Sequence, residues 1–203
     1  MRQPMSKEER HAHILQTARL LFQTRGYDAV TIADVIKESN VARGTFYLHF
    51  DSLESLLVAL FDEVVDETWH RIDPILSDLT ISLEDCTLAV IHAVLWMFHQ
   101  DKLMGAAFAS GGGQAFVRRK QAALYDKLTD LLVAALQRRH HRELPNIRWT
   151  ASMLIALVSE MAQYTLTHVS DAEYPQFEQT LTEFVVAGLE RHINLYVGLA
   201  GDA

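Results

Sequence analysis

T-I-A-D-V-I-K-E-S-N-V-A-R-G-T-F-Y-L-H-F, residues 31–50, reads as a short helix, a tight turn and a second short helix. Thr31 stands where a helix cap is wanted, and Asp34 occupies the reciprocal position three residues on. Ile32, Val35 and Ile36 share the inward face of that first helix. Asn40 tolerates left-handed backbone better than any residue except glycine, so the helix is expected to stop there, with Val41 buried in the turn. The second helix, about Ala42 to His49, has only two turns and is not stable alone. Phe46 and Phe50, four apart, must pin it to its neighbours, which leaves Arg43, Thr45, Tyr47 and His49 pointing away.

Upstream, Ser6 and Glu9 have the spacing of a capping box. Ile14, Ala18, Leu21 and Phe22 then recur at helical spacing, and Gly26 is expected to end this helix as a left-handed residue. Lys7, Arg10 and Arg19 fall outside the apolar stripe; they read as solvated charges, with phosphate contact as the alternative.

The outward residues suit duplex DNA, which needs phosphate contacts for position and base-edge contacts for sequence. Arg43 can be bidentate to guanine, and Thr45 can meet a base edge or a thymine methyl. Gly44 permits close backbone approach. Tyr47 and His49 suit phosphate oxygens, as does the Thr31 hydroxyl beside the amides of its helix N-terminus.

Gly26-Tyr27, Thr31-Ile32-Ala33, Val41, Gly44-Thr45-Phe46-Tyr47 and His49-Phe50 together resemble the DNA-binding head of the TetR family of transcriptional regulators, over about residues 7–60. Three departures stand out. Asn40 replaces the usual glycine, Ala42 replaces the usual serine cap of the recognition helix, and Leu53 stands where a phosphate-holding lysine is common. The resemblance implies phosphate roles for Tyr47 and His49. It also implies a two-fold homodimer closed by four helices, and a small-molecule site among helices four to seven whose occupation changes the separation of two heads.

Beyond residue 50 the expected fold is all-α: a three-helix head, 1–50, joined without a linker to a six-helix ligand-binding and dimerisation body, 51–203. Asp51 and Glu54 are expected to box the fourth helix, and Asp73-Pro74 to end it. The fifth, Ser82 to about His99, is apolar nearly all round and reads as buried. A short sixth precedes a flexible A-S-G-G-G-Q turn. The seventh is expected over Gln114 to His140, the eighth over Ile147 to His168, and the ninth from Pro175 to about Asn194 before a frayed tail.

Composition limits the function classes. Net charge is −8, but residues 1–50 hold seven Lys/Arg against five Asp/Glu, and the remainder eleven against twenty-one. A mildly basic head on an acidic body is compatible with a DNA partner, because local fields decide binding. The single Cys86 excludes an internal disulfide and fits a reducing compartment. No signal peptide or membrane span is indicated, so a cytoplasmic protein with no membrane partner is expected.

On the fifth helix His92, Trp96 and His99 share a face, and Trp69, Phe108, Gln121, Tyr125 and Met161 are candidates to line a ligand site with them. Met153, Leu157, Met161 and Tyr164 on the eighth helix, with Phe177, Leu181, Phe184 and Gly188 on the ninth, make more apolar surface than one core needs, and are expected to form a dimer interface. His11 and His13 do not face each other and no nucleophile, phosphate-loop or zinc motif appears, so no metal, cofactor or catalytic residue is expected. The leading expectation is a ligand-responsive repressor, not an enzyme, on a palindromic double-stranded DNA operator. The alternatives are a helical small-molecule-binding protein or enzyme whose N-terminal helices bind protein, and a DNA-binding activator or architectural protein without a ligand.

Overall fold

The computed structural model describes residues 5–100, 105–108, 112–141 and 144–198, and these are helical throughout apart from caps and turns. They divide into two compact units. Unit 1 comprises residues 1–65 with 101–120, and unit 2 comprises 66–100 with 121–203.

In unit 1, α1 (Lys7–Arg25) opens with the expected box: Ser6 Oγ accepts from Glu9 N–H, and Glu9 accepts from Ser6 N–H. Ile14, Ala18, Leu21 and Phe22 are buried, and Gly26 ends the helix at φ 79°, ψ 153°, a region that glycine alone populates freely. A single turn (Tyr27–Ala29) leads to α2 (Ile32–Ser39) and α3 (Arg43–Tyr47). Arg19 does not stand free for phosphate: its guanidinium lies 2.7 Å from Glu63.

The start of α4 (Leu53–Ser77) differs from expectation. Ser52 and Ser55, not Asp51 and Glu54, exchange the capping hydrogen bonds, at 3.2 and 3.0 Å. A serine at the third position is short enough to close the box from Ser52, which frees Glu54. Its Oε1 instead accepts from the Gly113 and Phe116 amides at 2.8 and 3.0 Å, capping the helix that begins at Gln114. Leu56, Leu57 and Leu60 are fully buried behind it. Residues 105–108 form a short turn, α6, whose Phe108 packs edge-on to Phe61 at 5.4 Å. Phe116 also meets Phe61, at 5.4 Å. Gly112 is needed twice: its φ is 76°, and a Cβ there would fall 2.7 Å from Phe116 Cβ. The rest of the expected glycine turn, Ser110 and Gly111 included, lies outside the described residues, as does the tail beyond Gly198.

Pro74 does not end α4; the helix runs on to Ser77. Only one turn follows the proline, so a single ladder hydrogen bond is lost. That turn is held by burial of Ile72 and Leu76 against Cys86 and Ala135, and Asp78 N–H still reaches Pro74 O at 3.1 Å. Packing outweighs the local breaker.

In unit 2, α5 (Leu83–Gln100) is not buried all round. Ile91 and Leu95 enter the core, while Leu88, His92 and Trp96, one turn apart each, form an open stripe. High apolar content alone does not say which side finds a neighbour. α7 comprises Gln114–Gln121, which belongs to unit 1 up to residue 120, a π-helical stretch Ala122–Leu128, and Thr129–His140. Its widened middle gives no sign in an apolar pattern that reads as one helix. α8 (Ile147–His168) matches expectation, and α9 (Tyr174–Gly198) runs a turn further than expected. The main core joins Ile91 and Leu95 of α5, Leu136 of α7, Ile147 and Ala162 of α8, and Leu181, Val185, Leu189 and Ile193 of α9.

Candidate nucleic-acid interface

The geometry of α3 follows from two short caps and two phenylalanines. Thr31 Oγ1 accepts from Asp34 N–H at 3.2 Å, and Asp34 accepts from Thr31 N–H at 2.9 Å. The Thr31 hydroxyl, which donates to Asp34 Oδ2 at 2.5 Å, and then the Thr31 amide, with Arg25 and Lys37 nearby, hold the Asp34 carboxyl below the usual carboxylate range. Asn40 takes φ 52°, ψ 40°, the left-handed conformation its side chain tolerates, and turns the chain. Ala42 caps α3 with no side-chain hydrogen bond, so α3 depends on packing. Phe46 is fully buried, Phe50 nearly so, and their centroids are 6.2 Å apart.

With the phenylalanines inward, Arg43, Gly44 and Tyr47 are exposed, and Thr45 and His49 half-buried. Thr31 is exposed at the N-terminus of α2. The Arg43 guanidinium lies over the Tyr47 ring at 5.7 Å. His49 stands 5.7 Å from His11 of α1, whose ring stacks on Phe50 at 4.5 Å. Burial, then the charges of His11, Lys7 and Arg10, depress the His49 pKa below its ordinary value, with Glu8 opposing. His49 is therefore mainly neutral near pH 7, with basic groups around it.

Two residues of this surface escape a reading based on polar side chains. Leu48 is almost fully solvent-facing, and helical periodicity, setting it opposite Phe46 and Phe50, is the signal that finds it. His11 in the sequence looks only like an unsuitable metal ligand; its contact with Phe50 needs α1 to pack against the turn that follows α3.

Of the residues expected to line a ligand site, Phe108 belongs to unit 1 and the others to unit 2. Trp69 packs with Ile72, Leu76 and Cys86, and Met161 packs against the main core. His92 Nδ1 lies 2.8 Å from Glu178, and Trp96 lies under the Arg71 guanidinium at 5.1 Å. His99 meets the Tyr174 ring at 4.5 Å and Asp171 at 3.7 Å. Gln121 and Tyr125 face outward. Of the residues expected at a dimer interface, Met153, Tyr164, Phe184 and Gly188 are exposed, joined by Trp149 one turn before Met153. Leu157, Met161 and Phe177 are half-buried against the core, and Leu181 is inside it.

No group of three or more His, Cys, Asp or Glu able to hold a metal occurs among the described residues. No helix among them is long and apolar enough to cross a membrane.

Residues 14–60 match the family model described as bacterial regulatory proteins, tetR family. Over 67 residues the chain is 34% identical to the HTH-type transcriptional regulator YfiR of Bacillus subtilis, a match that spans 33% of each chain. The chain thus spans about a third of the length of that curated relative. A longer match, 24% identical over 174 residues, covers 84% of this chain and 87% of the nucleoid occlusion factor SlmA of Shewanella amazonensis. Among solved structures, a tetR-family transcriptional regulator from Streptomyces coelicolor superposes with a TM-score of 0.73 at 17% identity, covering 94% of this chain and 85% of the other. That likeness is one of fold.

Proposed function

We propose, for a chain that belongs through its head to the TetR family of bacterial regulatory proteins, that it is a cytoplasmic, homodimeric transcriptional repressor released from a palindromic DNA operator by a small-molecule effector. Residues 1–50 are the DNA-binding part, and residues 51–203 the ligand-binding and dimerisation part. The observation that carries this reading is α3 itself. It buries Phe46 and Phe50 and turns Arg43, Gly44, Tyr47 and His49 outward or to the rim.

In this reading Arg43 and Thr45 address base edges, Gly44 lets the backbone approach, and Tyr47, His49 and Thr31 hold phosphates. Met153, Tyr164, Phe184 and Gly188 provide the exposed part of the dimer surface, with Leu157, Met161 and Phe177 at its base. Two α3 helices on a dimer would address successive major grooves, roughly 34 Å apart. An effector that prefers the DNA-free form lowers operator affinity by the same free energy with which the operator lowers effector affinity. Residues of the α5 stripe, His92 and Trp96 with His99, and Trp69, are the first candidates for effector contact.

The test is capture of fragments of the host genome, followed by titration of the captured duplexes at two salt concentrations. A regulator of this kind loses affinity steeply as salt rises. Absence of duplex binding at low salt, or binding indifferent to salt, rejects the reading. A thermal-shift screen then looks for a stabilising small molecule.

A second reading is favoured by the 174-residue match to a protein named as a nucleoid occlusion factor: an architectural DNA binder without an effector. Many scattered chromosomal sites in place of one or a few promoters, and no stabilising small molecule, would select it.

A further inference from the structure

We propose that Leu48, the residue that caps the C-terminus of α3, is a sequence-reading residue, and that it reads the C5 methyl group of a thymine. The inference rests on the reading of α3 as a recognition helix and names what the residue at its C-terminal end recognises.

Leu48 is 77% exposed, the most exposed large apolar side chain among the described residues. A lone exposed leucine is ordinary; its place on the helix is not. Successive helical residues turn by about 100°. Phe46 and Phe50 define the inward direction, and Leu48, two residues from each, falls about 180° from their mean. Leu48 caps α3 at φ −75° and ψ −15°, so the right-handed turn continues through it and sets its side chain opposite the two phenylalanines. Gly44, one turn earlier, has open space where a side chain would be, so nothing on that side overhangs Leu48. Tyr47 and His49 flank it, one on each side.

The amide at this position is already engaged. Leu48 N–H donates to Gly44 O and Thr45 O, both at 3.2 Å. With its amide occupied, Leu48 offers its isobutyl group. When a recognition helix enters the major groove, its N-terminal residues contact base edges, and a side chain that stands furthest out from the helix can reach them too. Tyr47 and His49, polar and to either side of it, suit the walls of the groove. Leu48 is apolar, and the floor of the groove offers one apolar group, the thymine methyl; guanine, adenine and cytosine present donors and acceptors there. Leucine against those edges would strip them of water without replacing a hydrogen bond. Leu48 thus favours thymine and disfavours the other bases at one position in each half-site.

The test starts from duplexes enriched by the full wild-type chain from a random pool. Each thymine of the enriched site is then replaced in turn by deoxyuridine, which removes the methyl and leaves pairing unchanged. The wild type should lose about fourfold in affinity at one thymine per half-site, the effect of one buried methyl. Full-length Leu48→Ala should bind more weakly, show no loss on that replacement, and enrich sites without a fixed base there. Leu48→Met, still apolar, should retain the sensitivity. If every deoxyuridine replacement leaves wild-type binding unchanged, or Leu48→Ala remains as sensitive as wild type, Leu48 does not read thymine although the head still binds DNA. If the wild type enriches no site at all, the DNA-binding reading fails and Leu48 loses its role with it.

Discussion

The Arg43 guanidinium carbon lies 5.7 Å from the centroid of the Tyr47 ring, one turn further along α3. The ring supports the cation by an exposed contact of about 0.5–1 kcal/mol and limits where the guanidinium can reach. Arg43→Ala should relax sequence preference and cost roughly 1–3 kcal/mol of specific binding. Tyr47→Phe keeps the ring and loses the hydroxyl, so it should weaken all sites about equally. Tyr47→Ala removes both, and should add a partial loss of preference. Affinities for specific and scrambled duplexes at fixed salt separate the three. Normal operator binding by Arg43→Ala would end the base-contact assignment.

Arg43 and Tyr47, like Phe46 and Phe50, are assigned to their faces by sequence alone, because α3 is short and its period simple. The caps at Ser6, Thr31 and Asn40 are legible for a similar reason: each is a local hydrogen bond or a local dihedral. Pro74 misleads because the last turn of α4 is held by Ile72 and Leu76 against Cys86 and Ala135, contacts distant in sequence. Glu54 misleads because two competing partners, its own helix start and the Gly113 amide, look alike until Ser52 and Ser55 are seen to close the first. The outward face of α5 is not legible either, and on α8 and α9 it is legible only in part: Met153, Tyr164, Phe184 and Gly188 face out, while Leu181 does not. Leu88 and Leu95 are the same residue type, Phe184 and Leu181 are both large and apolar, and only packing separates exposed from buried.

Glu54 reaches the N-terminus of the Gln114 helix from α4, accepting from Gly113 and Phe116. Glu54→Ala leaves those amides without an acceptor and should cost about 1 kcal/mol, the usual value of a helix cap. The loss should concentrate in faster hydrogen exchange of the amides at 113–116. Glu54→Gln retains a carbonyl acceptor and should lie between the two. Uniform exchange in Glu54→Ala, with an unchanged melting temperature, would show that the cap contributes nothing.

His49 should make pH act in opposite directions on the free and DNA-bound head. Its folded pKa lies below the ordinary 6.5 because burial and the charges of His11, Lys7 and Arg10 disfavour the cation. The unfolded chain therefore binds the proton more readily. This contribution to stability is present above pH 6.5 and is lost as pH falls through the depressed value. A phosphate beside His49 favours the cation, so DNA binding should take up a proton and strengthen from pH 8 towards 6. Melting curves and duplex titrations over that range, with His49→Gln as control, test both slopes. A duplex affinity whose pH slope is the same in wild type and His49→Gln would remove His49 from the phosphate contacts.

Phe184 and Leu181 lie on the same helix three residues apart, and the structure separates them sharply: Phe184 is 68% exposed and Leu181 is 7% exposed. A charge at Leu181 enters the core beside Val185 and Leu189, so Leu181→Asp should unfold unit 2. A charge at Phe184 meets only solvent in the single chain and should leave the fold intact. If α9 forms the dimer surface, symmetry places two copies of residue 184 in one interface. Burying a phenylalanine is worth about 1.5–3 kcal/mol, so losing both should weaken the dimer by about two to four orders of magnitude. Sedimentation velocity should then find Phe184→Asp monomeric with an unchanged circular dichroism spectrum, while Leu181→Asp loses helicity. The monomer should still bind one half-site, but weakly and without dependence on half-site spacing. A Phe184→Asp protein that remains a dimer would move the interface off α9 and onto another exposed surface, the first candidate being the Leu88, His92 and Trp96 stripe of α5.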